Sequence, residues 1–116
     1  MYFKIKRAYE NPSRDDGFRV LVDRIWPRGV SKAEAKIDQW LKEVASSTAL
    51  RKWFGRDPAR WVEFERRYFA ELDAQCVALD DLRKLAARST VTLVFGAKDT
   101  KHNQAAALKI YVDTRM

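Results

Sequence analysis

The run Thr90-Val91-Thr92-Leu93-Val94-Phe95 constrains the fold most, because it is short, β-branched and nearly all apolar. Such a run is typical of a strand covered on both faces, since a strand with one solvated face alternates apolar and polar side chains. A doubly covered strand needs a further layer on each side of its sheet. The run therefore predicts an inner strand of a layered domain.

Two earlier segments predict further strands. Phe3 and Ile5 alternate with Lys4 and Lys6, which is the period-two pattern of a half-buried outer strand. Turn-forming residues over 11–17 lead to a second strand that begins Arg19-Val20-Leu21-Val22. Several helices separate it from the strand over 90–95, and one more helix follows. This order predicts one α/β domain over residues 1–116, with a small, mostly parallel sheet flanked by helices.

The first helices have recognisable amino-terminal caps. Ser31 and Glu34 have the spacing of a capping box, which predicts a short helix after Ser31. The run Ser46-Ser47-Thr48 offers a second cap for a helix that reaches Gly55. Between these helices the pattern over 37–45 is ambiguous. Its apolar spacing favours a helix, but a short strand near 38–44 would also bury its tryptophan.

The later helices follow from similar signals. Asp57-Pro58 predicts the start of a long helix at residue 58, whose apolar stripe runs to Cys76 and would bury that thiol. A further helix includes Leu82-Leu85-Ala86 on its apolar face. The last helix is expected over 100–114, with Asp99 as its N-cap.

Composition limits the classes of function. The 116 residues contain 23 Lys plus Arg against 16 Asp plus Glu, a net charge of +7. Such an excess attracts phosphates or nucleic acid where it converges on one face, and otherwise only aids solubility. The chain has no apolar run of membrane-spanning length, no apolar amino-terminal signal and a single cysteine. We expect a soluble cytoplasmic protein with no internal disulfide, no metal and no cofactor.

Charged side chains follow both inner strands. Ligands of open parallel sheets bind outside the carboxyl ends of the strands, and the residues found there are Asp23, Arg24, Arg28, Lys98, Asp99, His102 and Asn103. Arg24, Arg28 and Lys98 beside a helix amino terminus predict a site for a small anion that carries phosphate or carboxylate. His102 is the candidate for proton transfer, and Asp23 or Asp99 could orient it. The alternatives are that Asp23 and Arg24 pair structurally, that Asp99 only caps a helix, and that His102 faces solvent.

Four blocks of the chain resemble the DUF488 family, in its short YeaO-like branch. They are Gly17–Gly29 with its Asp-Arg-Ile-Trp-Pro-Arg-Gly ending, the block Leu50–Gly55 with Asp57-Pro58, Phe64-x-x-Arg67-Tyr68, and the segment from Val91 to Ala97-Lys98-Asp99 with His102-Asn103. The resemblance covers nearly the whole chain and implies an α/β fold. It implies no particular reaction, because the family is defined by sequence and fold more than by activity.

The resemblance also marks polar positions. The residues that match the family's polar motifs are Arg7, Asp23, Arg24, Arg28, Trp53, Lys98, Asp99, His102 and Asn103. Where the family has an Asn-Asn pair, this chain has Asn103-Gln104. The main functional hypothesis is an anion-binding protein, which could also be an enzyme. The alternatives are a nucleic-acid-binding or regulatory protein that uses its basic surface, and a protein-interaction module.

Overall fold

The sheet contains four parallel strands in the spatial order β1-β4-β2-β3. A computed structural model describes residues 3–115. The strands are β1 (Phe3–Arg7), β2 (Phe18–Leu21), β3 (Gln39–Trp40) and β4 (Val91–Phe95). All five residues of β4 are buried, and β1 lies at an edge of the sheet. Both positions, and the α/β class, agree with the sequence predictions.

Five α-helices connect and cover the strands. They are α1 (Lys32–Ala35), α2 (Thr48–Phe54), α3 (Trp61–Asp73), α4 (Cys76–Arg88) and α5 (Gln104–Arg115). Short 3-10 helices lie at Arg14–Asp16, Lys42–Val44 and Pro58–Arg60. The predicted caps Ser31, Ser47 and Asp57 each accept a hydrogen bond from a backbone amide of the turn that follows.

The two faces of the sheet are covered differently. Alternate strand residues, among them Phe3, Val20 and Leu93, join the apolar residues of α2, α3, α4 and α5 in the main core. On the opposite face, Leu21 and Val94 form a smaller cluster with half-buried Trp26 and Trp40. Helices α2 to α5 therefore pack on one face, while loop residues and Trp40 of β3 cover the other.

The favoured helix over 37–45 is wrong, and the alternative strand is present. Trp40 and its neighbour Gln39 pair in parallel with β2, and the amides of Asp38 and Leu41 donate to carbonyls of that strand. Lys36 ends α1 in the left-handed region, with φ of 48°. Backbone groups that would have bonded within a helix thus bond to the neighbouring strand β2 instead.

Two other predictions need correction. The apolar stripe does not continue to Cys76, because α3 ends at Asp73 and Cys76 begins α4, where its thiol is exposed. Asp99 does not cap the last helix, because α5 starts only at Gln104. The N-cap contact there comes from Asn103, whose side-chain oxygen accepts from the amide of Ala106. Among residues 3–115, no helix is long and apolar enough to cross a membrane.

Candidate functional site

The loops that carry the predicted residues leave the sheet at one edge. Arg7 pairs with Phe95 and Leu21 pairs with Val94, so β1, β4 and β2 end almost level with one another. Arg7 is the last residue of β1, and the segments that follow β2 and β4 hold the other predicted site residues. Parallel topology thus brings residues that are distant in sequence to the carboxyl ends of three neighbouring strands.

Arg7 and Tyr9 together fasten three of these segments to one another. The guanidinium of Arg7 lies over the Tyr9 ring, 4.9 Å from its centroid, and Arg7 Nε donates to the carbonyl of Ala97 at 2.9 Å. The Tyr9 hydroxyl donates to the carbonyl of Arg28 at 2.8 Å. These contacts link the end of β1 to the loop after β2 and to the loop after β4.

Arg28 and Lys98 extend from the fastened loops into solvent. Both side chains are exposed. Neither forms a salt bridge with any residue in the range 3–115. The two charges thus remain available to an external anion. With Arg7 they form what we call the strand-end cations.

Asp23 is half-buried and bonds to backbone instead of an arginine. Its carboxylate accepts from the amide of Gly96 at 2.8 Å, and a Cβ added to Gly96 would lie only 3.2 Å from the same oxygen. Burial raises the pKa of Asp23, although the Gly96 hydrogen bond and the charge of Arg51 oppose that shift. The carboxylate therefore holds the loop after β4 against the end of β2.

Arg24 points to a different part of the molecule. Its Nε donates to the carbonyl of Ser46 at 3.2 Å, and a longer contact of 3.4 Å reaches the carbonyl of Ala45. It also lines an open pocket together with Glu43 and Glu71. The structure thus separates Arg24 from the contacts that bring Arg7 to the loops of Arg28 and Lys98.

Asp99 and His102 form a pair beside the loop after β4. One Asp99 oxygen accepts from the amides of Lys101 and His102, and the other lies 2.9 Å from His102 Nδ1. The two backbone hydrogen bonds, followed by the His102 contact, lower the pKa of Asp99 to about 2. The imidazole also meets Trp61 edge-on, with ring centroids 5.4 Å apart. His102 is thus oriented, but it forms no hydrogen bond with Asp23.

Asn103 is buried and closes the turn before α5. Its amide nitrogen donates to the carbonyl of Asp99, and its oxygen accepts from the amide of Ala106. Both ends of the side chain therefore bond to backbone. Because Asp99 and Asn103 occupy the amides of Lys101, His102 and Ala106, the helix start offers fewer free donors than the sequence analysis expected.

Gln104 is the main polar residue that sequence reasoning passed over. Its oxygen accepts from the amide and hydroxyl of Ser46 at 2.6 and 2.8 Å, while its nitrogen donates to the carbonyl of Val22. It thereby joins the end of β2 to the loop before α2. Its place in the Asn103-Gln104 pair was the available signal. Tyr9 was also missed, and nothing in the pattern marks it beyond its position after β1.

Within the described range 3–115, no cluster of three or more His, Cys, Asp or Glu side chains could hold a metal ion.

Comparison with known proteins identifies the family. The family model described as "Inactive DUF488-N3 subclade" matches residues 2–116. The chain belongs to this DUF488 family. The uncharacterized protein Rv3073c of Mycobacterium tuberculosis is 45% identical over 105 residues, which cover 90% of this chain and 88% of the relative. The uncharacterized protein YeaO of Escherichia coli is 38% identical over 108 residues, 93% of this chain and 94% of the relative. No solved structure matches.

The resemblance predicted from the sequence blocks is thus confirmed. The names of both relatives state no activity, so the function has to be argued from the site.

Proposed function

We propose that this protein binds a small anion, bearing phosphate or carboxylate, at the strand-end cations Arg7, Arg28 and Lys98. The main support is the set of contacts around Tyr9, which ties Arg7 to the backbone of Arg28 and Ala97. The loops that carry the three positive charges are therefore fastened to one another before any ligand arrives. Fixing the backbone of these loops in advance lowers the entropic cost of ordering them when an anion binds.

Binding without turnover is the form of this proposal that the residues favour. Asp23 accepts from Gly96, and its other oxygen lies 3.4 Å from the Gln104 amide, so the carboxylate serves the fold. His102 is oriented by Asp99, and neither residue bonds to Asp23. The Asp99–His102 pair and Asp23 thus belong to separate networks. The description of the matching family as inactive points the same way.

A thermal-shift titration tests the proposal. The probes are inorganic phosphate, a nucleoside monophosphate and citrate, each at low and moderate salt. Stabilisation by one of these anions is expected to disappear in Arg28→Ala and in Lys98→Ala, because a ligand stabilises only the state that binds it. Arg14→Ala is the matched control, since Arg14 is also exposed but precedes β2 at the other end of the sheet.

Two results would reject the site. One is the absence of stabilisation by all three anions in the wild-type protein. The other is a stabilisation that Arg14→Ala reduces as much as Arg28→Ala and Lys98→Ala do, because that result would indicate a response to total charge.

A further inference from the structure

A second cationic surface lies where α2 is followed by α3. Its centre is Trp53, whose indole is half-buried, and the guanidiniums of Arg60 and Arg67 lie 5.2 and 4.3 Å from the ring centroid. Arg66 is joined to Arg67 through a shared contact with Glu63. We call Trp53, Arg60, Arg66 and Arg67 the arginine face. None of these residues belongs to the strand-end cations.

The arginine face is fixed by internal contacts. Arg60 donates through Nη1 to the carbonyl of Trp53. Arg66 binds both oxygens of Glu63, and Arg67 Nε donates to the same carboxylate at 2.7 Å. The guanidiniums are therefore held in place while their side chains remain about half exposed, at 48% for Arg60 and 46% for Arg67.

Positive charge exceeds negative charge on this surface. Hydrogen bonds from Arg66 and Arg67 lower the pKa of Glu63 to about 2, so this single carboxylate stays ionised between two arginines. The ion pair of Arg60 with Asp57 is long, at 3.8 Å. Next to the face in sequence, Lys52 and Arg56 are exposed, and neither pairs with an acidic residue of the described chain. The local field therefore attracts anions.

The chemistry of the face favours a phosphodiester chain over a small anion or a protein. Among residues 3–115, Arg60 and Arg67 each use a single guanidinium nitrogen in a hydrogen bond, so each keeps other N–H groups that match phosphate oxygens. Cations spread over two helices can each meet a different phosphate of one polymer. The centre of a protein interface is usually depleted of charged side chains, whereas this face is made of them. Because two guanidiniums already lie over Trp53, that ring is a poor platform for stacking bases.

We propose that the arginine face binds nucleic acid through its phosphate backbone, without reading sequence. Its affinity is expected to fall steeply with salt, as counterions are released from the phosphates. This inference does not rest on the strand-end site, because it uses other residues. Arg28→Ala with Lys98→Ala is expected to change nucleic-acid affinity no more than any other loss of two surface charges.

Fluorescence anisotropy with a labelled DNA duplex two helical turns long tests this inference. Arg60→Gln with Arg67→Gln is expected to weaken binding about tenfold at low salt and to reduce the slope of log affinity against log salt by about two. The matched control is Arg14→Gln with Arg88→Gln, which removes the same charge from two exposed arginines beyond the amino ends of β2 and β4. The control is expected to stay within about twofold of the wild-type protein.

A second variant guards against a folding defect, because Arg60 bonds to the backbone of α2. Lys52→Gln with Arg56→Gln changes side chains that form no salt bridge among residues 3–115 and is expected to weaken binding about threefold. A thermal unfolding curve of each variant accompanies the titration.

Three results would overturn the inference. The first is wild-type protein that does not bind the duplex at low salt. The second is an equal loss of duplex affinity in the Arg60 and Arg67 double variant and in the Arg14 and Arg88 control, which would mean that only net charge matters. The third is displacement of the duplex by polyglutamate as effectively as by unlabelled DNA, which would assign the face to an acidic protein.

Discussion

Two groups of charged residues on the sheet have opposite properties. Asp16 is 1% exposed and accepts from Arg19 at 2.6 Å and from Lys6 at 3.1 Å. Arg19, itself buried, also donates to the carbonyl of Ala35. At the carboxyl ends of the strands, by contrast, Arg28 and Lys98 are exposed and pair with no acidic residue of the described chain.

The difference separates structural charge from charge available to a ligand. A buried ion has lost its hydration, so it requires partners inside the protein, and Asp16 has three of them in Ser13, Lys6 and Arg19. An exposed cation without a partner keeps its hydration and can exchange it for an external anion. The buried cluster therefore stabilises the fold, whereas Arg28 and Lys98 are the charges that the proposed anion would meet.

The largest expected effect comes from breaking the buried cluster. Asp16→Asn leaves Arg19 and Lys6 facing a neutral group and is expected to lower the free energy of unfolding by about 3 kcal/mol. Urea denaturation measures this loss. Asp15→Asn is the control, because the Asp15 side chain is exposed, and it is expected to change stability by less than about 0.5 kcal/mol. A loss below about 1 kcal/mol for Asp16→Asn would contradict the structural role.

Acid should weaken the same cluster by a somewhat smaller amount. Burial alone would raise the pKa of Asp16, but hydrogen bonds from Ser13, Lys6 and Arg19 outweigh it and lower the pKa from 3.8 to about 2. A lowered pKa contributes stability above the ordinary value, and that stability is lost as the pH falls through about 2. The stability difference between wild type and Asp16→Asn should therefore shrink by about 2 kcal/mol between about pH 5 and the acid limit.

Unfolding curves of both proteins across this pH range measure that change, and subtracting the variant removes the contributions of Glu63 and Asp99. If the free energies of unfolding of wild type and Asp16→Asn differ by the same amount at all pH values, the Asp16 carboxylate is not the group that titrates.

Gln104→Ala has the next expected effect, because the amide joins the end of β2 to Ser46. Its loss leaves the Ser46 amide and the Val22 carbonyl without this partner and should cost about 1.5 kcal/mol. Gln39→Ala is the control. It also removes an amide side chain, but the Gln39 side chain forms no hydrogen bond among residues 3–115. If both variants unfold at the same urea concentration, Gln104 is not a structural bridge.

The sequence predicted the parts of the fold that depend on local chemistry. Alternation identified β1, a turn signal identified the start of β2, and a continuous apolar run identified β4. The caps Ser31 and Ser47 identified the starts of α1 and α2, and Asp57 caps the 3-10 helix over Pro58–Arg60, so α3 begins at Trp61 and not at the predicted residue 58. The sequence did not predict local structure correctly where contacts with distant residues determine it. The segment with Trp40 became a strand because β2 offers it an edge, and Cys76 became exposed because the chain turns at Ala74-Gln75.

The candidate site was predictable in position and less so in contacts. Parallel strands bring the residues after them to one edge, which placed Arg28 and Lys98 at the same end of the sheet, while the family resemblance marked Arg7. Spacing could not show that Arg24 reaches Ser46 or that Asp23 bonds to Gly96, because these partners lie far apart in the chain. Tyr9, which ties the loops together, was likewise visible only in three dimensions.

The most direct test of the central claim is the unfolding free energy of Arg28→Ala with Lys98→Ala, measured with and without inorganic phosphate or whichever probe anion stabilises the wild-type protein. We predict that without the anion the double variant stays within about 0.5 kcal/mol of the wild-type protein, and that the anion then stabilises the wild-type protein alone. A large loss of stability without the anion, or equal stabilisation of both proteins by it, would contradict the division between structural and ligand-binding charge.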